Sequence, residues 1–171
     1  MKNNNLLDIY DLNEFIAIDL ETTGLDSQKE SVIEISAVKF KNGVQDSVFS
    51  YLLNPEKIIS PFIEDLTGIT NEMVSDKPLF NDIIDEFISF ISDLPIVGHN
   101  VGFDINFIKV QSKNNVDLEE THQICDTYFL SKAILFSNTQ FSLEALSDCY
   151  GLSTSGSHRA TNDAINSGLI F

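Results

Sequence analysis

The chain has 171 residues, 43% of them hydrophobic, and a formal net charge of −16. This hydrophobic content excludes a disordered chain, and the length predicts a single domain, residues 1–171, with its own core. The negative charge excludes a protein that coats nucleic acid by general attraction, but not an enzyme that acts on nucleic acid.

No stretch is apolar for long enough to cross a membrane, and the first residues do not resemble a secretion signal. We therefore expect a cytoplasmic protein without membrane contact. Cys125 and Cys149 lack the spacing of metal ligands. We predict that both are reduced core residues, while the sequence leaves a disulfide open.

The first third of the chain predicts three strands after a lead-in, residues 1–13. The apolar run that starts at Glu14 reads as a central strand covered on both faces. Alternation predicts a second strand at Val32–Lys41, and Asn42-Gly43 is a strong hairpin signal into a third strand near Ser47–Leu53.

The rest of the chain alternates between helices and strands after an irregular connection over residues 54–70, in which Thr70 suits a helix N-cap. The pattern predicts helices at Leu79–Asp93, Phe103–Lys113, Thr127–Leu135 and Leu143–Tyr150, strands at Pro95–Val97 and His122–Cys125, and a final helix that the chain end cuts short. A hairpin followed by such alternation predicts a mixed α/β sheet flanked by helices.

Acidic side chains close the first strand. Asp19 and Glu21 project to the same face, and two like charges at a buried strand end are costly unless something neutralises them. A divalent cation held by carboxylates would neutralise them. A solvated acidic turn explains the same residues about equally well.

Three more polar groups stand at later element ends. Asp104 follows a strand-to-helix loop, and His158 and Asp163 stand at the start of the last helix. Acids are also common in a first helical turn, and His158 reads equally as a surface histidine. His158 and Asp163 converge only if His158 lies in the loop and Asp163 on the helix. Four acids and a histidine suit a two-metal hydrolase with a histidine base.

Three motifs resemble one known family. Ile18-Asp19-Leu20-Glu21-Thr22-Thr23-Gly24-Leu25, His99-Asn100-Val101-Gly102-Phe103-Asp104 and His158-Arg159-Ala160-Thr161-Asn162-Asp163 match, in order and spacing, the DEDDh (DnaQ-like) 3′–5′ exonucleases. The likeness is nearest to the proofreading exonuclease of bacterial DNA polymerase III. It covers nearly the whole chain.

This resemblance implies a ribonuclease H-like fold with a five-stranded sheet in the order 3-2-1-4-5. It also implies two divalent cations, Mg²⁺ or Mn²⁺, with Asp19, Glu21 and Asp163 on the first and Asp104 on the second. His158 is then the general base, and a nucleoside 5′-monophosphate is released from the end of the strand.

Other residues are expected to bind the substrate. Gly24 permits close approach, Thr22 and Thr23 suit the 3′-hydroxyl end, and the family resemblance places Leu25 against the last bases. The same end of the sheet offers Asn100 to a phosphate or sugar. Phe103 and Phe107 are spaced for a stacking surface, with core packing favoured for at least one of them.

Two residues within the motifs, His99 and Arg159, are interpreted as structural. Arg159 is the only arginine of the chain. An arginine beside the proposed base also suits a contact with phosphate.

Three functions remain open on this reading. The first is a 3′–5′ exonuclease on single-stranded DNA ends, with a DNA polymerase as a possible partner. The same site suits an exoribonuclease on short RNA ends. A non-catalytic partner-binding module is disfavoured because all five expected catalytic residues are present.

Overall fold

A computed structural model describes residues 12–113, 115–135, 140–154, 156 and 158–171. Residues 1–11, most of the expected lead-in, lie outside this description. One five-stranded sheet has the order β3-β2-β1-β4-β5, which confirms the predicted order and the central first strand. The strands are β1 (Glu14–Thr22), β2 (Val32–Lys41), β3 (Val44–Leu52), β4 (Ile96–Gly98) and β5 (Ile124–Asp126).

Helices cover both faces of this sheet. In the described residues they are α1 (Pro61–Thr67), α2 (Asn71–Val74), α3 (Phe80–Ile91), α4 (Gly102–Gln111), α5 (Leu118–Thr121), α6 (Thr127–Ile134), α7 (Leu143–Tyr150) and α8 (Ala160–Ile170). The helices predicted after residue 79 are confirmed, with ends that differ by one or two residues. The short α5 was not predicted.

Strand β1 is covered on both faces, as its two apolar faces predict. It runs antiparallel to β2 and parallel to β4. Ile16 and Ile18 belong to the core cluster that includes α3 and α4 residues. On the other face, Phe15 and Ala17 pack with Ala164 of α8. The central strand therefore carries its last residues to a point between two helical layers.

Helix α8 lies close against the sheet. A Cβ atom added at Gly168 would lie 2.2 Å from the Phe40 ring, so only glycine fits at this crossing. The approach is close enough for the first turn of α8 to reach the ends of β1 and β2.

The connection over residues 54–70 was predicted to be irregular, but it contains α1 and is followed directly by α2. Ser60 caps α1 with its hydroxyl, Pro61 occupies the first turn, and Gly68 ends the helix at φ 69°. Thr70 caps α2 as predicted. The prediction failed because α1 is too short to show helical periodicity, although its capping residues were visible.

Two smaller predictions are confirmed only in part. Strand β3 begins at Val44, three residues earlier than predicted, because the Asn42-Gly43 turn, with φ 53° and 75°, lets pairing start at once. Both cysteines are free thiols, as predicted, and Cys125 is half-buried against the core, but Cys149 is exposed and is not a core residue. Among the described residues, no helix combines the length and apolarity that a bilayer crossing requires.

Candidate active site

The acids of β1 lie at its carboxyl end. Asp19 and Glu21 are half-buried and follow Ala17 on the face that α8 covers. The pairing with β4 stops at Ala17, so the next residues of β1 extend past the end of that neighbouring strand. This difference in strand length leaves space beside the two carboxylates.

Asp104 enters this space from the first turn of α4. Its carboxylate is buried, and Oδ1 accepts a hydrogen bond of 2.9 Å from the backbone N–H of Leu20, between the two acids of β1. The tight turn at Gly98, where a Cβ would lie 2.6 Å from Val101, brings α4 directly over the end of β4. Asp104 is thus attached to the strand that carries Asp19 and Glu21.

His158 and Asp163 come from the other side of the sheet. The backbone N–H of His158 donates to Oδ2 of Asp163 at 3.0 Å, and His158 has a left-handed φ of 61°. Potential ligand atoms of Glu21, His158 and Asp163 all lie within 4.8 Å of one another. His158 therefore lies in the loop and Asp163 on the helix, the arrangement in which the two can converge.

Asp19 and Asp104 are not part of this compact group of three, but charges of the group act on both of them and contribute to their raised pKa values. Burial raises the pKa of Glu21 to about 8, and the charge of Asp163 adds to the rise. Burial also raises the pKa of Asp19 and of Asp104 well above their ordinary values, and Asp104 is the largest charge acting on Asp19. The pKa of Asp163 is raised by burial, against the hydrogen bond from His158.

These properties fit a site for divalent cations. The donors are hard carboxylate oxygens and one imidazole, which suit Mg²⁺ and Mn²⁺. Burial is the largest cause of the raised pKa of all four carboxylates, and it outweighs the lowering effects of Arg159 on Glu21 and of His158 on Asp163. The nearby cation Arg159 is paired with Glu34.

Glu34, on β2, was not singled out from the sequence. It is buried, and its carboxylate accepts hydrogen bonds from Nε and Nη2 of Arg159 and from the backbone N–H of Ala160. An acid between Ile33 and Ile35, in the apolar first part of β2, was the available signal. The pairing supports the structural interpretation of Arg159.

The turn after β1 uses its hydroxyl groups internally. Thr22 donates to the carbonyl of Gly24 at 2.7 Å, and Thr23 donates to Glu30 at 2.5 Å. Both hydroxyl protons are therefore engaged within the chain, and the role of Thr22 and Thr23 in substrate binding stays a prediction. A Cβ at Gly24 would lie 2.9 Å from the Glu30 side chain, so glycine leaves room for the hydrogen bond between Thr23 and Glu30. Leu25, at the tip, is 87% exposed.

An apolar cavity of about 540 Å³ lies between this turn and α1. Glu21 of the acidic group also lines it, as does the rest of the turn to Leu25. Phe62 and Leu66 form the opposite wall, and Phe62 is 72% exposed. Sequence reasoning missed this wall because it did not predict α1.

The structure also places four other residues considered in the sequence. Phe103 is half-buried and lines the cavity. Phe107 is fully buried, which agrees with the core packing expected for at least one of the two rings, and it supports Phe103 at 4.8 Å between ring centroids. Asn100 is exposed at φ 60°, and its backbone N–H donates to Asp126. His99 Nδ1 lies 3.0 Å from the Thr127 hydroxyl, in agreement with a structural role.

Several known proteins are similar in sequence. The DNA polymerase III subunit epsilon of Aquifex aeolicus is 35% identical over 98% of this chain and 81% of its own length. The PolC-type DNA polymerase III of Caldanaerobacter subterraneus is 36% identical over 92% of this chain, which spans only 11% of that protein. The 3′-5′ exonuclease DinG of Bacillus subtilis is 36% identical over 92% of this chain and 17% of its length.

Solved structures share the fold, which is ribonuclease H-like. Exonuclease X, solved with 5′-overhanging duplex DNA, has a TM-score of 0.70 and 26% identity, with 92% of this chain and 87% of that chain covered. Exonuclease I has a TM-score of 0.77 at 19% identity, with 91% and 39% covered. The family model described as Exonuclease matches residues 16–171. The chain therefore belongs to the exonuclease family, whose members use divalent metal ions.

Proposed function

We propose that this domain is a 3′–5′ exonuclease that removes nucleotides from single-stranded DNA ends with the help of Mg²⁺ or Mn²⁺. The observation that carries the proposal is the shared position of Glu21. It belongs to the group with His158 and Asp163, and it also lines the apolar cavity. A cleavage site and a place for one terminal nucleoside therefore adjoin.

The cavity has the chemistry of a base-binding site. Its volume of about 540 Å³ lies in the ordinary range for small-ligand pockets, roughly 300–1,000 Å³. Phe62 and Phe103 offer aromatic rings to an unpaired base, and such stacking does not depend on base identity. An end base that has left its duplex would enter this space, and the preceding phosphodiester would lie over the acids.

The residues of the chain divide the chemistry between them. Divalent cations, when bound, would supply Lewis-acid stabilisation of the phosphate charge and lower the pKa of water. Asp19, Glu21, Asp104 and Asp163 would hold them. His158, exposed beside Glu21 and Asp163, would take the proton from the attacking water. Cleavage then leaves the phosphate on the released nucleoside.

The net charge of the domain supports a function that depends on attachment to a partner that brings DNA close. A domain of net charge −16 has little general attraction for DNA, so its affinity for long strands should be modest. Attachment to a polymerase would supply the missing local concentration of DNA ends. The similarity to an epsilon subunit and to a segment of PolC-type polymerases supports this partnership.

The test uses purified protein and oligonucleotides labelled at either end. Shortening from the 3′ end in Mg²⁺ or Mn²⁺, with release of 5′-mononucleotides and loss in EDTA, is the expected result. Asp19→Asn should abolish release while the circular dichroism spectrum stays unchanged. Full activity of Asp19→Asn, or shortening from the 5′ end, would contradict the proposal. Faster cleavage of a matched RNA oligonucleotide would show that the same site prefers RNA as its substrate.

A further inference from the structure

The first turn of α8 is attached to the sheet by a row of polar contacts. The Glu34 carboxylate on β2 accepts two hydrogen bonds from Arg159, at 3.0 and 2.8 Å, and a third from the Ala160 N–H at 3.0 Å. The row continues through the Thr161 hydroxyl, which lies 3.0 Å from the hydroxyls of Ser36 on β2 and Ser50 on β3. Three consecutive residues, the N-cap Arg159 and the first two residues of α8, therefore contact two strands.

These contacts surround the residues that the proposed reaction needs. His158 directly precedes Arg159, and its backbone N–H is bound to Asp163. The chain is thus fixed on both sides of His158, while the imidazole stays exposed beside Glu21. A left-handed φ at His158 needs support of this kind, because a residue other than glycine rarely adopts it without surrounding constraints.

We propose that Glu34 and Arg159 are positioning residues for the exonuclease, which set the place of His158 and Asp163 relative to Glu21. The inference rests on the proposed function of the same site. Neither residue is a catalytic residue, since the carboxylate of Glu34 is occupied by Arg159 and Ala160.

The geometry requires an arginine rather than a cation in general. The planar guanidinium places two N–H groups against the two oxygens of one carboxylate, which fixes direction as well as distance. A lysine would keep the charge beside Glu34 but would lose this fork. Charge and position can therefore be separated by substitution.

The experiment compares wild type, Arg159→Lys, and the double variant Glu34→Gln with Arg159→Met. The double variant removes both charges of the pair together. It keeps the experiment possible if a single substitution leaves a buried charge unpaired and prevents folding. Lys41→Met is the matched control, because it removes an exposed cation of β2 that pairs with Glu14 on β1, away from the acids. Thermal unfolding establishes that each variant is folded at the assay temperature.

The readouts are kcat, KM and the affinity for Mn²⁺ by titration calorimetry. Arg159→Lys and the double variant should lose about 10–100-fold in kcat and in Mn²⁺ affinity. KM for the oligonucleotide should stay within about threefold, since the cavity is unchanged. Folded variants with the kcat and Mn²⁺ affinity of Lys41→Met would overturn the proposal. If wild type has no exonuclease activity, the proposed function fails, and the Mn²⁺ affinities alone still decide whether the pair positions the acids.

Discussion

The backbone N–H of His158 donates a 3.0 Å hydrogen bond to the carboxylate of Asp163. The residue that carries the proposed base is thus attached to a proposed cation ligand. Its left-handed φ of 61° limits which substitutions preserve the loop. Asparagine tolerates this conformation better than most residues, so it can replace His158 without disturbing the attachment.

His158→Asn should therefore lower kcat by about 10²–10⁴-fold, the usual contribution of a general base, without lowering the melting temperature. Single-turnover cleavage of a labelled oligonucleotide measures the loss. His122→Gln is the control for removal of a histidine, since His122 bonds to Thr121 and the Ser92 carbonyl. Equal rates for His158→Asn and His122→Gln would exclude His158 as the base.

Asp104→Asn should inactivate the enzyme and stabilise the protein without metal. The amide oxygen can still accept the hydrogen bond from Leu20, while the substitution removes a buried charge beside Asp19. We expect a higher melting temperature in EDTA at pH 8 and at least about a hundredfold loss of activity. Asp85→Asn, on the exposed face of α3, should change neither quantity. A lower melting temperature for Asp104→Asn would show that its charge stabilises the fold.

The stability of the metal-free protein should fall as pH rises. The folded protein keeps a proton on Glu21 up to a pKa of about 8, while the unfolded chain releases it near 4.5. Because the folded state binds more protons in this window, the free energy of unfolding decreases between these two pH values. Raised pKa values of Asp19 and Asp104 act in the same direction.

Melting curves in EDTA at pH 5.5 and 8 test this, and added Mg²⁺ should raise the melting temperature more at pH 8 than at pH 5.5, since ligands must be deprotonated. Glu21→Gln should weaken the dependence on pH. A metal-free protein that is more stable at pH 8 would contradict the direction of the pKa shifts.

Phe62→Ala should weaken substrate binding with little effect on stability. Phe62 is 72% exposed and forms a wall of the cavity, so its loss removes a stacking partner and not a core contact. Stacking of a base contributes about 1–3 kcal/mol, which corresponds to roughly a 5–150-fold rise in KM. Ile58→Ala is the matched control, because Ile58 is 83% exposed and does not line the cavity. Similar KM values for the two variants would show that the terminal base does not bind in this cavity.

Gly168→Ala should destabilise the fold by about 1–3 kcal/mol, the usual cost of overpacking. The added methyl group would lie 2.2 Å from the Phe40 ring and would push α8 away from β2. Gly102→Ala is the control, since a Cβ there meets no atom within 4 Å. Urea denaturation compares the two variants. A Gly168→Ala variant as stable as Gly102→Ala would show that α8 can shift without cost.

The sheet and the acidic residues at the end of β1 could be predicted from the sequence because each signal was local and strong. The apolar run on both faces of β1 indicates its central place, and the period of two along a strand puts Asp19 and Glu21 on one face. The spacing from His158 to Asp163 allows the two to converge only with His158 in the loop, where the structure has it. Short elements were lost, since α1 and α5 are too brief to show a period.

Other features depend on contacts between distant parts of the chain, which a single sequence does not display. Glu34 meets Arg159 only when α8 lies on β2. The Thr23 hydroxyl likewise donates its hydrogen bond to Glu30 only when the turn after β1 has formed. Phe107 has the same spacing from Phe103 on either interpretation, and only packing shows that its ring is buried.

The site joins β1, the first strand, to α8, the last helix. A growing chain folds from its N-terminus, and contacts between distant segments form late. Asp19 and Glu21 are therefore made early, but they stay without Asp163 and His158 until α8 has been synthesised. A chain interrupted before α8 cannot assemble the acidic group. Assembly of the site is thus also a measure of folding, because it requires β1 and α8 to meet.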